Sequence, residues 1–474
     1  MKKRDVILLG TGVLAVSVFP LVFAWMNNAD RIKETTEIWQ NLALLSLCAV
    51  ALFGVFALFY RNLPRAALST TVVVLIFENG LVLQNILTRL FPRFHYWHTT
   101  TVLLVVAVVI LYLFTKIKDD VALTVGKVVS LVFIGLVVLN IVMGVPKIIL
   151  ANRVSTEEKT SLALAAGSGR NMYWLLFDNY SSNYVYNKWF DFDNSAFTET
   201  LEDMGFNVSS TSENDSTYTI SVTANIANLG YVTSFSYDRT YTECVNSVLE
   251  SRRTAVIIPL AESYGYEITG VGHAEYYGFT GTKAVSSSSA GMTLGGDSIV
   301  SLFWKRTILA PFAEINVNEL AAEMLAQLQY LQDPGNIPQS HSFVLAHFNT
   351  PHTPYLFLAD GTLVQAGNTA DIEENTSLYL EQSKFVSGEM LKIVETIIKN
   401  DPNAIIILSS DHANKSKAVE YDDRRRIFAA MYNGGEPMDI EGMSGMNLMI
   451  TMLNEALGTD IDYVELVARE EVIF

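Results

Sequence analysis

Five long apolar stretches crowd the first third of this 474-residue chain, over about Val6–Trp25, Leu42–Tyr60, Leu68–Leu87, Thr100–Phe114 and Val125–Val145. An α-helix needs roughly 20 such residues to cross ~30 Å of hydrocarbon, and each stretch approaches that length, the fourth being the shortest. Only helices or closed barrels satisfy every backbone group in lipid, so the spacing predicts an all-α bundle of about five membrane helices. A cleaved leader is the alternative for the first stretch, and the four that follow predict an integral membrane protein either way.

Basic residues suggest an orientation. Lys2, Lys3 and Arg4, then Arg61 and Arg65, then Lys116 and Lys118 fall on one side of the spans, which the positive-inside bias reads as cytoplasmic. The opposite loops carry Arg31, Lys33, Arg89 and Arg93, so the bias is modest. With five spans, everything after about Pro146 is expected outside the cell membrane. Charge divides the same way: residues 1–160 carry about +6 and the remainder about −23 of the net −17. An acidic exterior lacks the basic patches nucleic acid requires, and fits a domain that binds a cation.

The expected domains are a transmembrane domain over 1–148, a juxtamembrane linker over 149–170 and an extracellular domain over 171–474. Cys48 falls inside the second span and Cys244 in the outer domain, so no intramolecular disulfide is expected. Glu78 and Asn79 sit midway along the third stretch, followed by Gln84 and Asn85. An ionisable group at that depth is costly, and is read either as a contact to a lipid headgroup or polar lumen or as a helix–helix hydrogen bond.

Beyond the linker, buried-strand patterns appear at Met172–Phe177, Ala255–Leu260, Ser342–Phe348 and Ala404–Leu408, and helical patterns at Val317–Leu331 and Glu381–Lys399. Alternation of this kind predicts a mostly parallel α/β sheet. The run Ser286–Ser289 with Gly291, Gly295 and Gly296 reads as a flexible loop. Two strands deliver carboxylates at their ends: Met172–Phe177 stops at Asp178, and Ala404–Leu408 passes Ser409-Ser410 to reach Asp411-His412. The carboxyl edge of an open α/β sheet is where ligands bind. Taken singly, Asp411 and Asp178 are equally well turn residues, and His412 a surface histidine.

Between those ends lie Asp193-Asn194-Ser195-Ala196-Phe197, Gly205-Phe206, a hydroxyl-rich segment containing Ser216, Thr217 and Thr219, and Asn228-Leu229-Gly230-Tyr231. Further on comes His347-Phe348-Asn349-Thr350-Pro351-His352-Thr353-Pro354-Tyr355. With these motifs the chain resembles the alkaline phosphatase/sulfatase superfamily, and more narrowly the membrane-bound sulfatase-like proteins related to lipoteichoic acid synthase. The resemblance covers essentially the whole chain. It implies Asp178, Asp411 and His412 as metal ligands, Thr219 as nucleophile and fourth ligand, and His352, with His347 second, beside the phosphate. Thr217 and Ser216 are the fallback nucleophiles. Ser410 and Ala413 depart from the glycine and the glycine or tyrosine that flank the Asp-His pair in relatives, and His273 reads as structural.

The chemistry is coherent with those residues. A threonine hydroxyl needs activation by a base or a metal, and mixed nitrogen and oxygen ligands suit zinc, with manganese or magnesium also compatible. The resemblance implies a phosphotransferase that takes a headgroup from a phospholipid donor, most plausibly glycerol phosphate from phosphatidylglycerol, through a phosphothreonine. The acceptor would be an envelope glycan or glycolipid. The alternatives are a phosphoethanolamine transferase, a sulfatase or phosphodiesterase-type hydrolase, and a non-catalytic sensor or scaffold.

Overall fold

A computed structural model of the full chain describes all residues except 30–34, 92, 95, 155–167, 233–243, 245–246, 249, 282, 287–298, 311–316, 365–374, 417 and 469–474. The chain divides into two compact units, 1–159 with 288–315 and 160–287 with 316–474. Residues 299–310, the described part of the second piece of the first unit, pack with the N-terminal helices.

The first unit contains α1 (Lys3–Asn27), α2 (Thr36–Tyr60), α3 (Leu63–Glu78), α4 (Gly80–Leu90), α5 (Tyr96–Phe114) and α6 (Asp119–Val154). Four of these, α1, α2, α5 and α6, are long and apolar enough to cross a membrane, and α3 with α4 makes a fifth if the bent pair counts as one span. Outward-facing Leu47, Leu58, Phe59, Val108 and Val142 are more than half exposed, as befits helices whose solvent is lipid. Helices α1 and α6 approach closely through small residues; a Cβ on Gly12 would meet Ser130 Oγ at 2.1 Å. Ion pairs Arg65–Asp119 and Lys127–Asp5, each 2.8 Å, join the ends that carry Lys2 to Arg4, Arg61 and Lys118.

The third stretch is not the single helix expected. Asn62 caps α3 by accepting from Arg65 N–H at 3.1 Å, with Pro64 in the first turn. The helix then stops at Glu78, and α4 leaves at 69°. Fifteen steps of ~1.5 Å put Glu78 roughly 22 Å from Leu63 along the helix. Glu78 and Asn79 therefore lie at the break between the two helices, near the middle of the bent pair. Among the described residues no helix–helix hydrogen bond reaches the Glu78 carboxyl, and both of its oxygens are buried and unpartnered. Gln84 does make such a bond, donating to Thr100 Oγ1 at 3.3 Å.

The second unit is built on a seven-stranded sheet: β1 (Met172–Phe177), β2 (Asn207–Ser209), β3 (Glu267–Gly272), β4 (Val285–Ser286), β5 (Ser342–Phe348), β6 (Ile405–Ser409) and β7 (Ala429–Asn433). Their spatial order is β2-β7-β6-β1-β5-β3-β4. Strands β6, β1, β5, β3 and β4 are parallel, and β7 and β2 add antiparallel pairings at one side. Every residue of β1 is buried, and alternate side chains serve two cores. Tyr173, Leu175 and Phe177 face the core closed by α10 (Val317–Tyr330) and α11 (Thr376–Asn400). Met172, Trp174 and Leu176 face α7 (Thr219–Asn228), α8 (Ile257–Ser263) and α12 (Gly445–Leu457).

Where a strand was expected at Ala255–Leu260, the chain forms α8. Ile257 and Ala261 are its fully buried positions, one helical turn apart, and a short apolar run does not distinguish strand from helix. The run Ser286–Ser289 and the glycines after it lie largely outside the described residues.

Candidate metal centre

The parallel sheet brings the ends of β6, β1 and β5 side by side, so Asp411-His412, Asp178 and His347 meet at one carboxyl edge. Asp178, Asp411 and His412 each offer one ligand atom within 4.8 Å of the others, all three side chains being buried. His412 Nε2 lies 3.1 Å from Asp411 Oδ2 and 3.6 Å from Asp178 Oδ1. The other ring nitrogen, Nδ1–H, donates to Ala413 C=O at 2.8 Å, which leaves the Nε2 lone pair turned toward the carboxylates.

The Asp411 carboxylate is half occupied. Asp411 Oδ1 accepts from Asn179 N–H at 3.1 Å and from His412 N–H at 2.9 Å. Asp411 Oδ2 and Asp178 Oδ1 are buried with no hydrogen-bond partner among the described residues. Buried polar atoms rarely stay unmatched; two orphan carboxylate oxygens aimed at one imidazole nitrogen fit a divalent cation. Burial pushes the Asp178 carboxyl up, but the imidazoles of His352, His347 and His412 outweigh it and hold the group well below the usual carboxylate range. Asn179, at φ 68°, makes the sharp turn after Asp178, a conformation asparagine tolerates better than most residues.

Thr219 opens α7, with Tyr218 as N-cap residue. Its Oγ1 lies 3.2 Å from His412 Nε2, and the residue is only half-buried, so it forms the accessible side of an otherwise sealed cluster. A helix N-terminus favours an anion there. Of the fallback residues, Ser216 uses its hydroxyl to accept from Tyr218 N–H at 3.2 Å, and Thr217 is buried.

His347 is fully buried, with Nε2 3.6 Å from Asp178 Oδ2. His352 is half-buried; its Nδ1 bonds Thr353 C=O at 2.8 Å, and its charge is the leading influence that lowers Asp178. The unusual flanking residues are fitted to the turn. Ser410 Oγ accepts from Phe428 N–H at 3.0 Å, and buried Ala413 donates its N–H to Arg424 C=O at 2.8 Å.

Two neighbours escaped the motifs. Asn214 donates to Asp411 C=O at 2.9 Å and accepts from Gly445 N–H at 2.8 Å, tying the ligand turn to α12. His273, read as structural, ends β3 one strand beyond His347, the two rings 6.0 Å apart. Its Nδ1 meets Glu275 Oε1 at 3.2 Å, and Lys283 bridges to Glu275 Oε2 at 2.8 Å. Burial raises the Glu275 carboxyl, yet His273 and Lys283 prevail and leave it at about 2. The strand-end position of His273 was the available signal, but only the order β5-β3 makes it adjacent.

No family profile matches the sequence, and no curated protein does. Solved structures are similar to it at low identity. The integral membrane lipooligosaccharide phosphoethanolamine transferase A (EptA) from Neisseria meningitidis is 13% identical, over 94% of this chain and 95% of that one, with a TM-score of 0.38. The lipoteichoic acid synthase LtaP from Listeria monocytogenes is 12% identical over 67% and 79%, TM-score 0.37. The C-terminal periplasmic domain of Escherichia coli EptC, in complex with zinc, is 11% identical over 63% and 84%, TM-score 0.37. At such scores the functional reading rests on the geometry of the site itself.

Proposed function

We propose that this chain is a membrane-anchored, metal-dependent phosphotransferase whose nucleophile is Thr219. The observation that carries the reading is the placement of Thr219 Oγ1 3.2 Å from His412 Nε2, beside two carboxylates with unmatched oxygens. Asp178, Asp411 and His412, joined by Thr219, would hold one divalent ion, zinc or manganese with magnesium compatible, and that ion supplies Lewis acidity and favours the threonine alkoxide.

The chain's own groups do the rest. The start of α7 orients a phosphoryl oxygen toward the helix N-terminus. Thr219 Oγ1 forms a bond to phosphorus as the bond from phosphorus to the diacylglycerol oxygen breaks. Thr219 releases its hydroxyl proton to solvent while His352 donates one to the leaving oxygen, and Thr219 recovers a proton from solvent when its oxygen later leaves phosphorus. In the second half His352 takes the proton of an acceptor hydroxyl on an envelope glycan or glycolipid, which displaces Thr219 from the phosphothreonine. Lys2 to Arg4, Arg65 and Lys118 mark the cytoplasmic ends, so the α/β unit works on the outer side of the membrane.

Several membrane spans are needless for a soluble ester and useful for a lipid donor. Glycerol phosphate from phosphatidylglycerol is the headgroup favoured, and ethanolamine phosphate the competitor. Purified full-length protein in vesicles, supplied with metal, is incubated with labelled phosphatidylglycerol and phosphatidylethanolamine in parallel. A headgroup-phosphate adduct on Thr219 by mass spectrometry, with released diacylglycerol, is the expected result, and the lipid that yields it names the headgroup. Absence of both products with either lipid overturns the reading.

A further inference from the structure

The break in the third span is occupied by another part of the same chain. Helix α9 (Ile299–Arg306) and the turn after it, as far as residue 310, pack within the helical unit. Ile299, Val300 and Phe303, at most 5% exposed, join one cluster with Leu21, Val22, Trp25 and Met26 of α1 and Ile38 and Leu45 of α2. Trp304 donates from its indole N–H to Asn41 Oδ1 at 2.9 Å and packs edge-on against Phe77.

The backbone of this segment then enters the break. Ile308 N–H donates to Phe77 C=O at 2.9 Å, a carbonyl at the interrupted end of α3, and Tyr96 O–H donates to Ile308 C=O. Gly80 is what permits the approach: a Cβ there would lie 2.5 Å from Ile308 N and 2.6 Å from Ile308 Cγ1. Two residues before Gly80, Glu78 is 3% exposed, and among the described residues neither carboxyl oxygen has a hydrogen-bond partner. A carboxyl buried without a partner in apolar surroundings is unfavourable. It also sits where the last turn of α3 presents the negative end of the helix dipole.

We infer that residues 299–310 are a removable plug: docked, they seal Glu78 inside the break, and undocked, they leave a carboxylate-lined opening that takes a positively charged group. One carboxylate and a helix C-terminus make an electronegative site that a cation satisfies and an anion does not. The seal combines the apolar side-chain seat with the close Gly80 approach and two hydrogen bonds to the Ile308 backbone. This opening is separate from the Thr219 chemistry and stands whether or not that chemistry does.

The test uses the full-length chain in vesicles and a water-soluble cationic carbodiimide with an amine nucleophile, with modification of Glu78 read by peptide mass spectrometry. Phe303→Asp disrupts the apolar seat of the plug, and Trp304→Ala removes its contacts to Asn41 and Phe77 without altering the break. Release of the segment is followed by tryptic cleavage after Lys305 and Arg306. Glu78 should be nearly unreactive in the parent, and react at least about tenfold faster in whichever variant exposes the Lys305–Arg306 bond, as local opening requires. Equal reactivity in parent and variants overturns the plug. A Glu78 that stays unreactive after the segment is cut shows that the bundle itself seals it, and overturns the opening.

Discussion

Replacing Asp411 by asparagine separates metal binding from folding. Its two oxygens have different duties: Oδ1 accepts from Asn179 and His412 N–H at 3.1 and 2.9 Å, whereas Oδ2 is buried, unmatched and 3.1 Å from His412 Nε2. Asparagine keeps an acceptor at Oδ1 and turns a neutral N–H donor toward the site in place of Oδ2. Loss of an outer partner of a metal ligand costs about 10–100-fold in affinity, so loss of a ligand itself should cost at least about 100-fold. A metal present at 100 times its dissociation constant stabilises the folded state by about 2.7 kcal/mol, and a 100-fold weaker site erases most of that. For a unit of this size, each kcal/mol moves the melting temperature by roughly 2 °C. The parent should therefore melt about 5 °C higher with zinc or manganese than with chelator, and Asp411→Asn should show almost no difference between the two. Asp411→Ala should fall further in chelator, by about 2–4 kcal/mol, because it strands two buried N–H donors. The assay is thermal unfolding of detergent-solubilised protein with chelator and metal add-back. An undiminished metal-dependent shift in Asp411→Asn would refute the ligand assignment.

Thr219→Ala should retain at least part of the metal-dependent melting shift while losing the phosphothreonine adduct entirely; an adduct that persists moves the nucleophile to Ser216 or Thr217. Gly272→Ala meets two obstacles, since the residue has φ 62° and its Cβ would fall 2.3 Å from His347 C=O oxygen. The left-handed backbone costs about 1 kcal/mol and overpacking about 1–3 more, so its melting temperature should drop by roughly 4–8 °C, together with lost activity. Asp178 is held below its unfolded value near 3.9, so its ionised form stabilises the fold above that pH and the benefit disappears as pH falls through the folded pKa. Metal-free parent should lose stability on acidification below about pH 4, and Asp178→Asn should have a flatter acid limb in chemical denaturation.

What the sequence disclosed, and what it withheld, follows from how local each cause is. Asp178 and Asp411 were legible because an apolar strand and the residue that ends it are contiguous. Thr219 was legible because the resemblance to a motif spaced it from Gly205 and Asn228. The run at Ala255–Leu260 was misread because six apolar residues carry no period of their own, and only packing decides that Ile257 and Ala261 share a face. The break at Glu78 was invisible for a different reason. The hydrogen bond made at the break joins Phe77 C=O to Ile308 N–H, some 230 positions away, and no pattern within α3 and α4 announces it. His273 needed the strand order, which is a property of the whole sheet.

Because residues 299–310 group with the helices, the chain passes from one unit to the other three times. Severing the chain near residue 160 would not liberate a soluble enzyme. It would either leave the two pieces associated through α9 or release an α/β unit that displays Ile299, Val300 and Phe303 to water, an adhesive patch that invites aggregation. A well-behaved soluble version should need residues 288–315 exchanged for a short polar loop, and proteases that cut only the first passage should leave both fragments in the membrane pellet.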